Sequence, residues 1–253
     1  MITVILSGYK RPNTTAQQYD AVKNQTVKDI QVMFWANLID DKISFPKEVV
    51  DNCQSIISNS NYGVWGRFAL ALNARTQYIC VIDDDTIPGS RWLENCLETI
   101  KTHNGILATR GVIANKGKER EYPGPNSYTD VGWGNPNEEV TQVDMGCHSW
   151  FFDKEILRAF WAEAPSFAPM NFGEDMHLSY AAQKHFGLGT YIPPHPKDDL
   201  TLWGSQPDTG KKYGEDAAAI SWNADANQGM RSYWNFMLDN GYKTIHHEEQ
   251  KNT

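Results

Sequence analysis

Five apolar residues, Tyr78-Ile-Cys-Val-Ile82, run straight into three carboxylates, Asp83-Asp84-Asp85. A short run of this kind, rich in β-branched residues, reads as a buried strand. A strand ending in three mutually repelling charges belongs to a sheet whose strand ends face a polar crevice. Alternation along an extended chain points Asp83 and Asp85 the same way. Two hard oxygen donors on one side suit Mg²⁺ or Mn²⁺, which also take phosphate oxygens. The plainer alternative is an acidic turn before a helix N-terminus, where Asp is favoured.

The residues around this junction alternate strand and helix signals. Ile2–Leu6 reads as a strand ending at Ser7-Gly8, and Pro12-Asn13-Thr14-Thr15 opens a helix over Ala16–Thr26. Ile30–Trp35 is a second strand, closed by Ala36-Asn37 and an acidic loop, and Cys53–Ile57 is a weaker third. Asn61–Arg75 is predicted helical because Val64, Phe68, Ala71 and Leu72 recur at i, i+4, i+7 and i+8. After Tyr78–Ile82 come a Pro88-Gly89 turn, a helix over Arg91–Thr102 and a fifth strand at Gly105–Thr109. This order predicts an α/β fold with a largely parallel central sheet flanked by helices. Ser7-Gly8-Tyr9-Lys10-Arg11, Asn37 and Asp83-Asp84-Asp85 would then share one crevice.

The second half differs. Ala114–Val140 is rich in Gly, Pro and Asn and reads as a long functional loop. Val143–Phe152 resumes a strand, Asp153–Glu163 a short helix, Gly173–Phe186 a longer helix and Gly189–Ile192 a last strand before Pro193-Pro194-His195-Pro196. Beyond residue 200 the pattern is irregular and aromatic, with Trp203, Tyr213, Trp222 and Trp234. With no repeats and no clear boundary, the 253 residues read as one domain.

Composition narrows the function. Lys and Arg number 23 against 31 Asp and Glu, a net charge of −8, which argues against binding a nucleic-acid backbone. No stretch approaches the roughly 20 apolar residues of a membrane helix, and the first residues lack a signal-peptide pattern. Cys53, Cys80, Cys96 and Cys147 form no Cys-x-x-Cys pair and read as reduced, mostly buried thiols. The expectation is a soluble cytoplasmic protein, with peripheral membrane association left open.

Four further features carry chemistry. Phe172-Gly173-Glu174-Asp175-Met176 opens a helix whose stripe of Asp175, Leu178, Ser179, Ala182 and Phe186 faces inward. Asp175 is either a general base or an acidic residue at a helix start. His195 is held between prolines, and Arg67 sits on the helix preceding the acidic strand end. Trp133 and Trp203 lie in glycine-flanked loops, where an indole either stacks on a sugar ring or fills the core.

Taken together, the N-terminal strand-loop, Asn61-x-Gly63-x-x-x-Arg67…Asn73, Asp83-Asp84-Asp85 and Gly173-Glu174-Asp175 resemble a nucleotide-sugar glycosyltransferase of the GT-A fold, similar to glycosyltransferase family 2. The resemblance covers roughly residues 2–200 and implies a nucleotide-sugar-binding half at 1–112 and an acceptor-binding half at 113–253. It implies that Asp83 and Asp84 lie on the donor side, and that Asp83, Asp85 and His195 hold a divalent metal. It implies Asp175 as the base, Ser7-Gly8-Tyr9 around a uracil, and Arg11 and Arg67 near base or phosphates. Asn37 stands where the family usually carries an acidic residue for uracil N3, though an amide oxygen can accept that bond. Trp203 is the expected ligand-covering aromatic. The processive-synthase signature Gln/Arg-x-x-Arg-Trp is missing, so transfer of one hexosyl or deoxyhexosyl unit from a UDP-sugar to a glycan, glycolipid or glycoprotein is expected, with inversion. Two alternatives stand beside it: a non-catalytic carbohydrate-binding module on the same fold, and a haloacid-dehalogenase-type phosphatase. The latter is disfavoured because about 80 residues of α/β pattern precede the acidic strand end.

Overall fold

The computed structural model describes residues 1–37, 44–163, 171–208 and 224–247. Tyr213, Trp222 and the acidic loop expected after Asn37 lie outside the described residues. Nine strands are present among those described: β1 (Ile2–Gly8), β2 (Ile30–Ala36), β3 (Gln54–Ile57), β4 (Tyr78–Ile82), β5 (Gly105–Ala114), β6 (Tyr128–Gly132), β7 (Thr141–Val143), β8 (Met145–Asp153) and β9 (Gly189–Ile192). The helices are α1 (Pro12–Lys23), α2 (Lys47–Asn52), α3 (Gly66–Ala71), α4 (Trp92–Thr102), α5 (Ile156–Ala162), α6 (Glu174–Phe186) and α7 (Ala224–Asp239).

The strands form one sheet in the order β3-β2-β1-β4-β8-β5-β9-β7, with β6 paired to β5. The expected α/β architecture is present, and the sheet is mixed. Strands β3, β2, β1 and β4 run parallel, β8 enters antiparallel beside β4, and β5 is antiparallel to β8 and β6 but parallel to β9. Strands covered on both faces need apolar residues on both, which explains the unbroken runs at 2–6 and 78–82. Ile5 faces one layer with Trp35, Phe68, Val81, Trp150 and Phe160. Val4 and Leu6 face the other with Phe34, Ile82, Trp92 and Phe151. Each such side chain contributes about 1.5–3 kcal/mol of burial.

Three differences from the sequence expectation bear on function. The helix expected over 61–75 shortens to α3, because side chains capture its first backbone groups. Asn37 Oδ1 accepts the Tyr62 N–H at 2.9 Å, Asn61 Oδ1 accepts the Gly63 N–H at 2.8 Å, and Gly63 takes φ 69°. The segment expected as a loop over 114–140 contains β6, which zips onto an extension of β5 from Arg110 to Ala114. The region beyond 200 contains α7, whose Met230, Tyr233, Trp234 and Met237 recur at helical spacing and pack with Met176 and Tyr180.

Candidate active site

The ends of β1, β2 and β4 open into a cavity of about 570 Å³. It is lined on one side by Ser7, Tyr9, Arg11, Trp35 and Asn37, and further by Arg67, Asp83, Asp84 and Asp85. Gly8 lies between two of these residues, and a side chain there would meet the Phe45 ring. The acidic turn is pinned from behind by Gln18 of α1, whose amide donates to Asp83 O and, at 2.9 Å, to Thr86 O.

The three carboxylates part ways. Asp83 pairs with the buried Arg67, which also bonds Glu174 at 2.5 Å and places its guanidinium 4.8 Å from the Trp150 ring centre. Asp84 pairs with Arg11 at 2.5 Å; burial nevertheless pushes its carboxyl up to about 7. Asp85 lies 3.5 Å from His148 Nδ1 and 3.8 Å from Arg11. Burial alone would raise Asp85, but the His148 hydrogen bond and the charges of His148 and Arg11 outweigh it and hold its pKa below the usual carboxylate range. Asp83, Asp85 and His148 bring one ligand atom each to within 4.8 Å of one another.

His148 was not singled out by the sequence. It sits inside a strand that reads as apolar, and its role depends on pairing. Ala108 faces Trp150 and Arg110 faces Cys147, so His148 and Ser149 together oppose Thr109 in a β-bulge. His148 has φ 69°, a left-handed conformation that costs a non-glycine residue about 1–3 kcal/mol. Its carbonyl accepts the Asp83 N–H at 2.8 Å, which ties the bulge to the acidic turn.

The expected metal ligand His195 does not join this group. Its Nδ1 pairs with Pro193 O at 2.8 Å and its Nε2 accepts the Gly204 N–H at 3.1 Å, so both ring nitrogens are taken. Burial pushes its pKa down to about 4. Trp203, expected over the ligand, is buried against the His195 ring at 5.5 Å and donates to Pro196 O. It packs in the core because the Pro193–Pro196 turn folds back over the start of α4. Trp133, by contrast, lines the cavity.

Asp175 faces the cavity from the first turn of α6, behind Gly173 at φ 89°. One oxygen accepts the Met176 N–H at 2.7 Å and the other lies 3.6 Å from Cys147 Sγ. Burial raises the pKa of Asp175, and pushes that of neighbouring Glu174 up to about 7. The wall also includes Tyr122, Tyr128, Asn227 and Arg110, the last held by an ion pair with Asp130 at 2.5 Å. Elsewhere on the wall, Asn37 has already committed its oxygen to the Tyr62 N–H and its amide N–H groups to Asn61 Oδ1 and Gly63 O, leaving one oxygen lone pair.

Residues 3–161 match the model of the family described as glycosyl transferase family 2. No curated protein matches the sequence. Among solved structures, the chain is similar in fold to S. aureus TarS 1-349, with 14% identity and a TM-score of 0.52, over 76% of this chain and 60% of that one. It is similar at a TM-score of 0.51 and 14% identity to the same protein in complex with UDP-GlcNAc, over 79% and 60%. The chain thus spans about 60% of the TarS fragment. No helix among the described residues is long and apolar enough to cross a membrane.

Proposed function

The chain belongs to glycosyl transferase family 2 and has the GT-A fold, and from that premise we propose that it transfers one sugar from a nucleotide-sugar donor to an acceptor hydroxyl, with a divalent cation and with inversion at the anomeric carbon. The observation that carries the reading is the meeting, in one cavity, of the Asp83–Asp85–His148 group with Asp175 on the facing helix. The donor set fits a cation: two carboxylates and an imidazole suit Mn²⁺, and the carboxylates suit Mg²⁺. Bound there, the ion would supply positive charge against the charge developing on the leaving diphosphate.

The chain's own residues do the rest. Arg11 and Arg67 hold the acidic turn open and keep cationic charge beside the phosphates. Tyr9, Trp35, Asn37 and Asn61 enclose the nucleoside end. Asp175 takes the proton of the acceptor hydroxyl as that oxygen attacks the anomeric carbon, and the bonding pair leaves with the diphosphate. A single direct displacement by the acceptor oxygen gives inversion. The TarS complex with UDP-GlcNAc supports uridine as the first nucleotide to try. The aromatic wall around Tyr122 and Tyr128 suits a carbohydrate-containing acceptor.

Asp175→Asn tests the assignment. It should bind UDP-sugar and Mn²⁺ as the unaltered chain does and lose transfer by ~10²–10⁴-fold. Normal transfer by this variant would remove Asp175 from the mechanism.

A further inference from the structure

We propose that Trp133 is a positioning residue for His148, holding its imidazole in the orientation that places it beside Asp85 in the Asp83–Asp85–His148 group. The inference rests on the metal reading above and adds a residue outside that group. The two rings stack with centroids 4.9 Å apart and planes 28° apart. His148 needs such a wall. It is the extra residue of the β5–β8 bulge, so its side chain leaves the sheet without the ladder neighbours that fix an ordinary strand residue. Among its contacts, Nδ1 lies 3.5 Å from Asp85, and its face is covered by the indole.

Trp133 is itself held in an unusual backbone. It follows Gly132 at the end of β6, in a tight turn closed by Gly132 N–H to Asn135 O and Asn135 N–H to Gly132 O, each at 2.8 Å. Its φ is 42°, and that of His148 is 69°. Two left-handed non-glycine residues, one in the turn after β6 and one in β8, thus meet face to face at the cavity. Strain of this kind persists where surrounding structure over-determines it, and it clusters at functional sites. Residues supporting a metal-ligating histidine typically change metal affinity by ~10–100-fold when removed.

The test uses the full chain with Mn²⁺ and UDP, and compares Trp133→Phe, which keeps an aromatic face, with Trp133→Leu, which fills space without one. Mn²⁺ affinity is read by equilibrium titration, histidine ligation by the ¹⁴N modulation in pulsed electron paramagnetic resonance, UDP affinity without metal by calorimetry, and folding by thermal melting. Trp133→Leu should weaken Mn²⁺ about tenfold and diminish the ¹⁴N signal, with metal-free UDP affinity within about twofold; Trp133→Phe should restore both metal readouts. A ¹⁴N signal and Mn²⁺ affinity unchanged in Trp133→Leu would overturn the role of Trp133 while leaving the metal group standing. Equal loss in both variants would also overturn it, since the aromatic face would then not be what acts. Absence of the ¹⁴N signal from the unaltered chain would overturn the His148 ligation on which the inference rests.

Discussion

Replacing Arg67 with methionine probes a buried cation held between two carboxylates. The Arg67 side chain is 5% exposed and bridges Asp83, 29% exposed, and Glu174, 7% exposed. Methionine keeps much of the stem volume and removes the cation, which leaves Glu174 buried without a counter-charge and Asp83 unpaired. Removing one partner of a buried ion pair costs about 3–5 kcal/mol, because the remaining charge stays desolvated. Glu174, already pushed by burial to about 7, can take up a proton, and this limits the loss toward the lower figure. For a chain of this size each kcal/mol shifts the midpoint by ~2–4 °C, so the melting temperature should drop by roughly 6–12 °C at neutral pH. Adding Glu174→Gln removes the buried charge and should return a part of that loss. Differential scanning calorimetry on the unaltered chain and both variants decides the matter. An Arg67→Met variant melting within about 2 °C of the unaltered chain would refute the reasoning, as would a double variant no more stable than the single one.

Other consequences follow from the same geometry. His148→Ala should weaken Mn²⁺ binding by ~10–100-fold, whereas His195→Gln should leave it unchanged, both read by titration. His195 also sets a pH dependence: its folded pKa of about 4 lies below the unfolded value near 6.5, so the unfolded chain binds the proton first and stability falls as pH drops through that window. The shift corresponds to roughly 3 kcal/mol, and the stability difference between the unaltered chain and His195→Gln should shrink by about that much between pH 7 and 4; a difference constant with pH would contradict the burial of a neutral imidazole. Gly66→Ala places a methyl group against the Trp35 indole, so urea denaturation should show a loss of about 1–3 kcal/mol, with UDP binding weakened as Trp35 shifts in the cavity wall.

Much of the framework was legible in the residues themselves. Strands β1, β2 and β4 announce themselves as short β-branched runs because both faces are buried, and their ends carry Ser7, Asn37 and Asp83. The position of Asp175 at a helix start followed from a glycine, two acids and an inward stripe, of which Leu178, Ser179 and Ala182 are buried and Phe186 is instead exposed at the helix end. Helix α7 was missed: the region beyond residue 200 read as irregular and aromatic, although Met230, Tyr233, Trp234 and Met237 recur at helical spacing.

What the chain determined alone is therefore local: which segments become strands and helices, and which of them end in chemistry-bearing side chains. Periodicity and turn chemistry act over a few residues, and those interactions are written in neighbouring positions. The tertiary structure decided which ends meet. Arg67 reaches Glu174 across 107 positions of sequence, a pairing no local pattern encodes. His148 instead of His195 stands beside Asp85 because β8 runs antiparallel to β4 and bulges opposite Thr109, while the proline-flanked turn draws His195 and Trp203 into the core. Sheet order and register arise from burying both faces of the whole sheet at once, and only that global packing selects which histidine faces the carboxylates.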